Sequence, residues 1–345
     1  MAKNETPALI VSLLITAGVL GGGFWWFTHR SGIELSQPTV SPTSTATSAP
    51  DAATSTFAQV QTVPTGLFSY GGSTTWASIR LAIDAQIQSA RPEFRLRYVD
   101  PTGSPPSSTT GIRMLLDGQL AFSQSSRPVS DAEYQQAQQR GFTLKQIPVA
   151  IDGLAIAVNP SLNISGLTIE QLKGIYTGQI TNWSQVGGAN VPIEAFSRDA
   201  KSGGTVQFFV EQVLGGQPLG STVQIVATTT QALQKLGAAP GGIYFASAPE
   251  VVPQCTIKPI ALGRTSDKLV NPYRDPFVEQ CAGGQRNQVN EQAFQSGDYP
   301  LTRNLFVVVK QNGQAEQQAG EAYANLLLSA QGQAAIEKAG FVRIR

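Results

Sequence analysis

The sequence predicts an α/β fold built on a parallel sheet. Three observations point to it. Short apolar runs with strand character alternate with stretches whose apolar residues recur every three or four positions. Polar loops rich in Ser, Thr and Gly separate them, and the order repeats as strand, polar loop, helix. In such a fold the loops at the carboxyl ends of the strands are where ligands bind.

Taken in order, the first strand candidate is Phe68–Tyr70, running into Gly72-Ser73-Thr74-Thr75. A helix follows, with Trp76, Ile79, Ile83 and Ile87 on one face. Arg95–Val99 alternates as a strand, Ser107-Ser108-Thr109-Thr110 opens a second helix carrying Ile112, Leu115 and Leu116, and Leu120–Phe122 leads into Ser123-Gln124-Ser125-Ser126-Arg127-Pro128. Further on, Leu154–Val158 reads as an apolar strand, and Ile169, Leu172 and Ile175 mark a helix. Phe196 begins the stretch FSRDAKSGGT, which runs into a helix with Val206, Phe209, Val210 and Val213. Helix N-termini present unpaired N–H groups and the positive end of the helix dipole, so they attract anions. Arg198 adds a planar, permanently charged fork, and the glycines before the helix let backbone approach a ligand closely. For any single loop, Ser and Thr acting only as helix caps is the plainer explanation. The repetition of the pattern on one sheet edge favours an anion site.

Composition narrows the function. The chain has 345 residues and a formal net charge of +1. About 280 residues lie beyond the N-terminal segments, enough for one large domain or two lobes. A balanced charge argues against nucleic acid, which calls for a basic stripe. The one histidine, His29, sits beside the N-terminal apolar run, so a Ser-His-Asp triad or a histidine-bearing zinc site is excluded from the region that follows. No cofactor is expected. The two cysteines, Cys255 and Cys281, read as one disulfide if the chain is exported, and otherwise as two buried thiols.

Pro7–Phe27 carries no formal charge and ends in Phe24, Trp25, Trp26 and Phe27. Roughly 20 apolar residues span a bilayer as a helix, and aromatic residues suit its interface. Aromatics, His29 and Arg30 stand where a signal peptidase would need small residues, so an uncleaved transmembrane anchor over residues 1–30 is expected. Residues 31–65 are rich in Ser, Thr, Pro and Ala and read as a disordered, flexible linker.

Several motifs in order, GGSTT, the Phe122–Pro128 loop, IDGLAIAVN, GIYTGQITNWSQVGG, SRDAKSGGT, GGIYFA and YPLTRNLFVVV, give the chain a further character. From about Phe68 to its C-terminus it resembles the phosphate-binding subunit of the high-affinity phosphate ABC transporter. That resemblance implies a two-lobe periplasmic-binding-protein fold of type II with a ligand cleft between the lobes. Lobe 1 would comprise 66–150 plus 299–345 and lobe 2 residues 151–298, with hinge crossings near 151 and 299. It implies a phosphate shell of Ser73, Thr74, Thr75, Ser108 and Thr109 from lobe 1, and of Arg198, Ser202, Gly203, Gly204 and Thr205 from lobe 2. Where the best-known branch has a carboxylate that accepts the proton of monohydrogen phosphate, this chain has Ser126, followed by Arg127. Asp152 is the expected replacement acceptor, with Arg127 adding positive charge.

The function implied is extracytoplasmic capture of inorganic phosphate for an inner-membrane ABC permease, by a binding protein and not an enzyme. The competing readings are a binder of sulfate or molybdate, a tethered phosphate sensor and, least supported, a phosphatase. Asn182-Trp183 is expected to pack a lobe surface instead of touching ligand.

Overall fold

The computed structural model describes residues 55–199 and 204–344. The expected anchor, most of the expected linker, and Ser202 and Gly203 lie outside the described residues. Among the described residues no helix is long and apolar enough to cross a membrane.

The first strand, β1 (Gly66–Gly72), ends in the Ser73-Thr74-Thr75 loop, and α1 (Ala77–Ala90) fully buries Ile79, Ile83 and Ile87. The four-residue spacing of these isoleucines places them on one face of the helix. Next come β2 (Phe94–Tyr98), α2 (Ser108–Leu116), β3 (Phe122–Ser125) and α3 (Asp131–Gln139). β1 pairs in parallel with both β2 and β3. Gly72 holds φ +132°, and a Cβ there would lie 2.1 Å from the Gln124 carbonyl oxygen, so only glycine lets β1 end this close to β3.

β4 (Thr143–Val158) is the long element on which the rest is organised. Beyond it come β5 (Gly166–Thr168), α4 (Ile169–Thr177), β6 (Glu194–Arg198), α5 (Gly204–Gln212), β7 (Gln224–Val226), α6 (Thr229–Ala238), β8 (Gly242–Ser247), α7 (Ala248–Val251) and β9 (Lys258–Gly263). The chain closes with α8 (Glu291–Ser296), β10 (Thr302–Gln311), α9 (Ala315–Leu328), α10 (Ala330–Lys338) and β11 (Val342–Arg343). The strand order is β2-β1-β3-β10-β4-β8-β6-β7. The sheet is mixed and not wholly parallel as the alternation predicts. β10 runs antiparallel to β3 and β4, and β4 antiparallel to β8 and β9. The reason is the double crossing: β4 carries the chain out of the first sheet half and β10 carries it back, so the two run in opposite senses.

The apolar core divides at this crossing. Buried residues from Leu154 to Leu301, joined by Val342, pack together. Those before Ile151 and after Arg303 form two further clusters, with Val307 and Val309 in one and Val308 in the other. Alternate residues of a strand face opposite sides, so these two clusters cover the two faces of one sheet. Trp183 is fully buried in the larger cluster, its indole N–H donating to the Gly241 carbonyl at 3.0 Å. Cys255 and Cys281 form the disulfide, with Cα atoms 5.2 Å apart. Closing a loop across this separation stabilises by about 3 kcal/mol, chiefly by restricting the unfolded chain.

Candidate anion site between the lobes

Three serines meet where the polar loops of β1, α2 and β3 converge. The Ser73 hydroxyl donates to Ser126 Oγ at 2.9 Å, and the hydroxyls of Ser126 and Ser108 lie 3.3 Å apart. The Ser126 backbone N–H donates to Ser108 Oγ at 3.0 Å, and all three residues are completely buried. The capping explanation applies to one neighbour and not to the cluster. Ser107 caps α2 through Thr110, which leaves the hydroxyl of Ser108, one residue on, for the cleft. Ser73 does both: it caps the short turn Thr74–Trp76 by accepting from the Thr75 N–H, and it donates to Ser126.

Across from these serines sits the first turn of α5. Gly204 is buried, and a Cβ on it would stand 2.6 Å from Ser126 Oγ and 3.3 Å from Ser108 Oγ. The helix start and the serine cluster therefore touch over a distance that only a glycine permits. Beside them the Thr75 and Thr205 hydroxyls lie 3.4 Å apart. Hydroxyls and a helix N-terminus facing one another present donors from two sides, the arrangement that takes a small oxyanion in place of its hydration shell.

One residue at the centre of this arrangement escaped sequence reasoning. Arg303 stands opposite Asp152 in the β10–β4 register, at the crossing of the two strands. Its Nε and Nη2 both donate to Asp152 Oδ2, at 3.0 and 2.8 Å, with side chains only 2% and 0% exposed. Its remaining N–H groups reach the Gly204 carbonyl at 3.0 Å, Thr205 Oγ1 at 3.0 Å and Thr75 Oγ1 at 3.1 Å. The Phe208 ring of α5 lies 5.2 Å from the guanidinium carbon. The available signal was a single charge in each of two apolar motifs, Asp152 in IDGLAIAVN and Arg303 in YPLTRNLFVVV, since an unpaired buried charge is too costly to occur in both.

The other expected site residues divide. Thr74 is half-buried in the turn that Ser73 caps. Asp152 has both oxygens engaged, Oδ1 accepting from the Ser247 hydroxyl at 2.5 Å and Oδ2 holding Arg303. Both of its oxygens thus accept from protein donors, and it holds the Arg303 guanidinium in place. Arg127 turns away from the serines. Its guanidinium forms a two-pronged pair with Glu133, at 3.0 and 2.8 Å, and donates to the exposed Thr109 hydroxyl at 3.0 Å, so its charge is neutralised by a neighbouring carboxylate. Burial pushes the Glu133 carboxyl up, but Arg127 and Ser130 together hold it below its ordinary value. Arg198 ends β6 half-buried. Burial pushes the nearby Tyr244 hydroxyl up to about 12, against the lowering effect of Thr229 and of the Arg198 charge.

A second polar network braces the serine loop from behind. Arg80 donates to the Ser73 carbonyl at 3.3 Å and to Gln124 Oε1 at 3.0 Å, and Gln124 in turn donates to the Tyr323 hydroxyl at 2.9 Å. Tyr323 and Tyr70 both donate to Asp84. Burial raises the Asp84 carboxyl, opposed by those two hydroxyls and by Arg80. Among the described residues no group of His, Cys, Asp and Glu is placed to hold a metal ion.

The family model described as "PBP superfamily domain" matches residues 44–331. The phosphate-binding protein PstS of Staphylococcus epidermidis is 27% identical over 240 residues, which is 67% of this chain and 66% of the relative's own length. An ABC-type phosphate transport receptor from Vibrio cholerae superposes with a TM-score of 0.62 at 25% identity, over 80% of this chain and 99% of that one. PstS from Borrelia burgdorferi gives 0.55 at 22% identity, over 81% and 99%, a likeness of fold. The chain belongs to the PBP superfamily, with its two-lobe α/β fold.

Proposed function

We propose that this protein is an extracytoplasmic solute-binding protein that captures inorganic phosphate between its lobes and delivers it to an ABC-transporter permease. The observation that carries the reading is the meeting of Ser73, Ser108 and Ser126 with the first turn of α5 across the cleft. The relatives support it, since those named for what they bind are phosphate-binding proteins and a phosphate transport receptor. No bond is broken. Binding exchanges the ligand's water for hydroxyl and N–H donors, and the contacts it makes with both lobes favour the closed arrangement. On this reading residues 1–30 anchor the chain in the membrane, 31–65 tether it, and 66–150 with 299–345 close against 151–298. Arg198, with Ser202 and Gly203, supplies the lobe 2 side of the shell.

Ser126 sets the selectivity expected. Its hydroxyl accepts from Ser73, which leaves its own proton to donate. A donor there serves any tetrahedral oxyanion, so sulfate should compete. Titration calorimetry on the purified full chain is expected to show one orthophosphate bound per chain, displaced by excess sulfate. Absence of heat with orthophosphate would remove the reading.

A further inference from the structure

Arg303 is held from behind and reaches forward to both lobes. Asp152 takes the Nε hydrogen and one Nη2 hydrogen, and Ser247 fixes the other carboxylate oxygen, so the guanidinium is locked in place by the crossing strands themselves. What it presents to the cleft is the rest of the fork. One partner, Thr75, follows β1 in the first lobe. Two others, the Gly204 carbonyl and Thr205 Oγ1, open α5 in the second lobe, and the Phe208 ring of the same helix covers the guanidinium. The Thr75 and Thr205 hydroxyls touch each other as well.

Every one of these contacts is between protein groups. The contacts to Thr75 and to α5 can exist together only when the lobes are closed. We propose that Arg303 is a closure-determining residue: it links Thr75 of one lobe to Gly204 and Thr205 of the other, and so sets how much of the protein is closed before any ligand arrives. For the anion it would bind, the inference rests on the phosphate reading above. For the lobe equilibrium it stands without it. The apparent affinity of a ligand that needs the closed form is its intrinsic affinity scaled by the fraction closed. A residue that stabilises closure without touching the ligand therefore tightens binding. It also sharpens the choice of guest. An oxyanion carrying a bulky ester group holds Thr75 and Thr205 apart and forfeits the bridge.

The test compares the full chain with two variants. Arg303→Lys keeps a charge beside Asp152 but loses the planar fork. Arg303→Gln combined with Asp152→Asn removes both charges together, so no unpaired ion is left buried. Circular dichroism establishes that each is folded. Small-angle scattering is then recorded without ligand and with saturating orthophosphate, and orthophosphate affinity is measured alongside. Both variants are expected to be more expanded than the wild type without ligand and to match it when saturated, with affinity weakened by about tenfold or more. Equal dimensions for variants and wild type without ligand would overturn the proposal. So would weaker affinity with unchanged dimensions, because Arg303 would then act on the ligand and not on closure. Should orthophosphate fail to bind even the wild type, the ligand-free comparison still decides the role of Arg303 and only the phosphate reading falls.

Discussion

Replacing Arg303 alone with alanine is expected to lower the unfolding midpoint by roughly 5–8 °C, the largest stability loss of any single polar substitution in the cleft. The loss comes less from the pair than from what its removal leaves behind. Asp152 is 1% exposed, and without Arg303 its Oδ2 has no cation in a site that water does not reach. Breaking a buried ion pair from one side costs about 3–5 kcal/mol, whereas neutralising both partners is often close to neutral. Thermal unfolding of Arg303→Ala, Asp152→Asn, and Arg303→Gln with Asp152→Asn separates the two effects. The double variant should recover most of the midpoint lost in Arg303→Ala. If Arg303→Ala unfolds within about a degree of wild type, the ion pair is not buried as the β10–β4 register places it.

The largest expected effect on binding comes from adding one carbon. A Cβ on Gly204 would sit 2.6 Å from Ser126 Oγ, closer than van der Waals contact allows. The Ser126 hydroxyl must swing away from Ser73 and Ser108, or the helix must back off from the serines. Either movement breaks the opposed donors. Inserting a methyl into a packed site costs about 1–3 kcal/mol, which corresponds to roughly ten- to hundredfold weaker orthophosphate binding. On the proposed lobe division Gly204 and Ser126 face each other across the cleft, so the clash is relieved by opening and the unfolding midpoint of Gly204→Ala should barely move. Wild-type affinity in this variant, measured by calorimetry, would show that closure does not bring α5 against Ser126.

Much of this was legible in the sequence because it is local. The four-residue spacing of Ile79, Ile83 and Ile87 fixes α1. The Ser-rich loops announce Ser73, Ser108 and Ser126, since each immediately precedes, opens or follows a regular element. What stayed hidden is non-local. Arg303 and Asp152 are 151 residues apart and meet only through strand register, which no local pattern encodes. The first half of β4 was also missed: Pro148 interrupts it and removes a ladder donor. The structure absorbs the proline at an irregularity, where Phe306 pairs with Pro148 while Leu305 pairs with Ala150. Arg127 stands beside Ser126 in sequence, and its guanidinium pairs with Glu133, six residues on.

A structure of the protein grown with orthophosphate tests the site most directly. A tetrahedral anion is expected within hydrogen-bond reach of the hydroxyls of Ser73, Ser108 and Ser126 and of the first turn of α5. Phosphate seated elsewhere, with no contact to those serines, would contradict it.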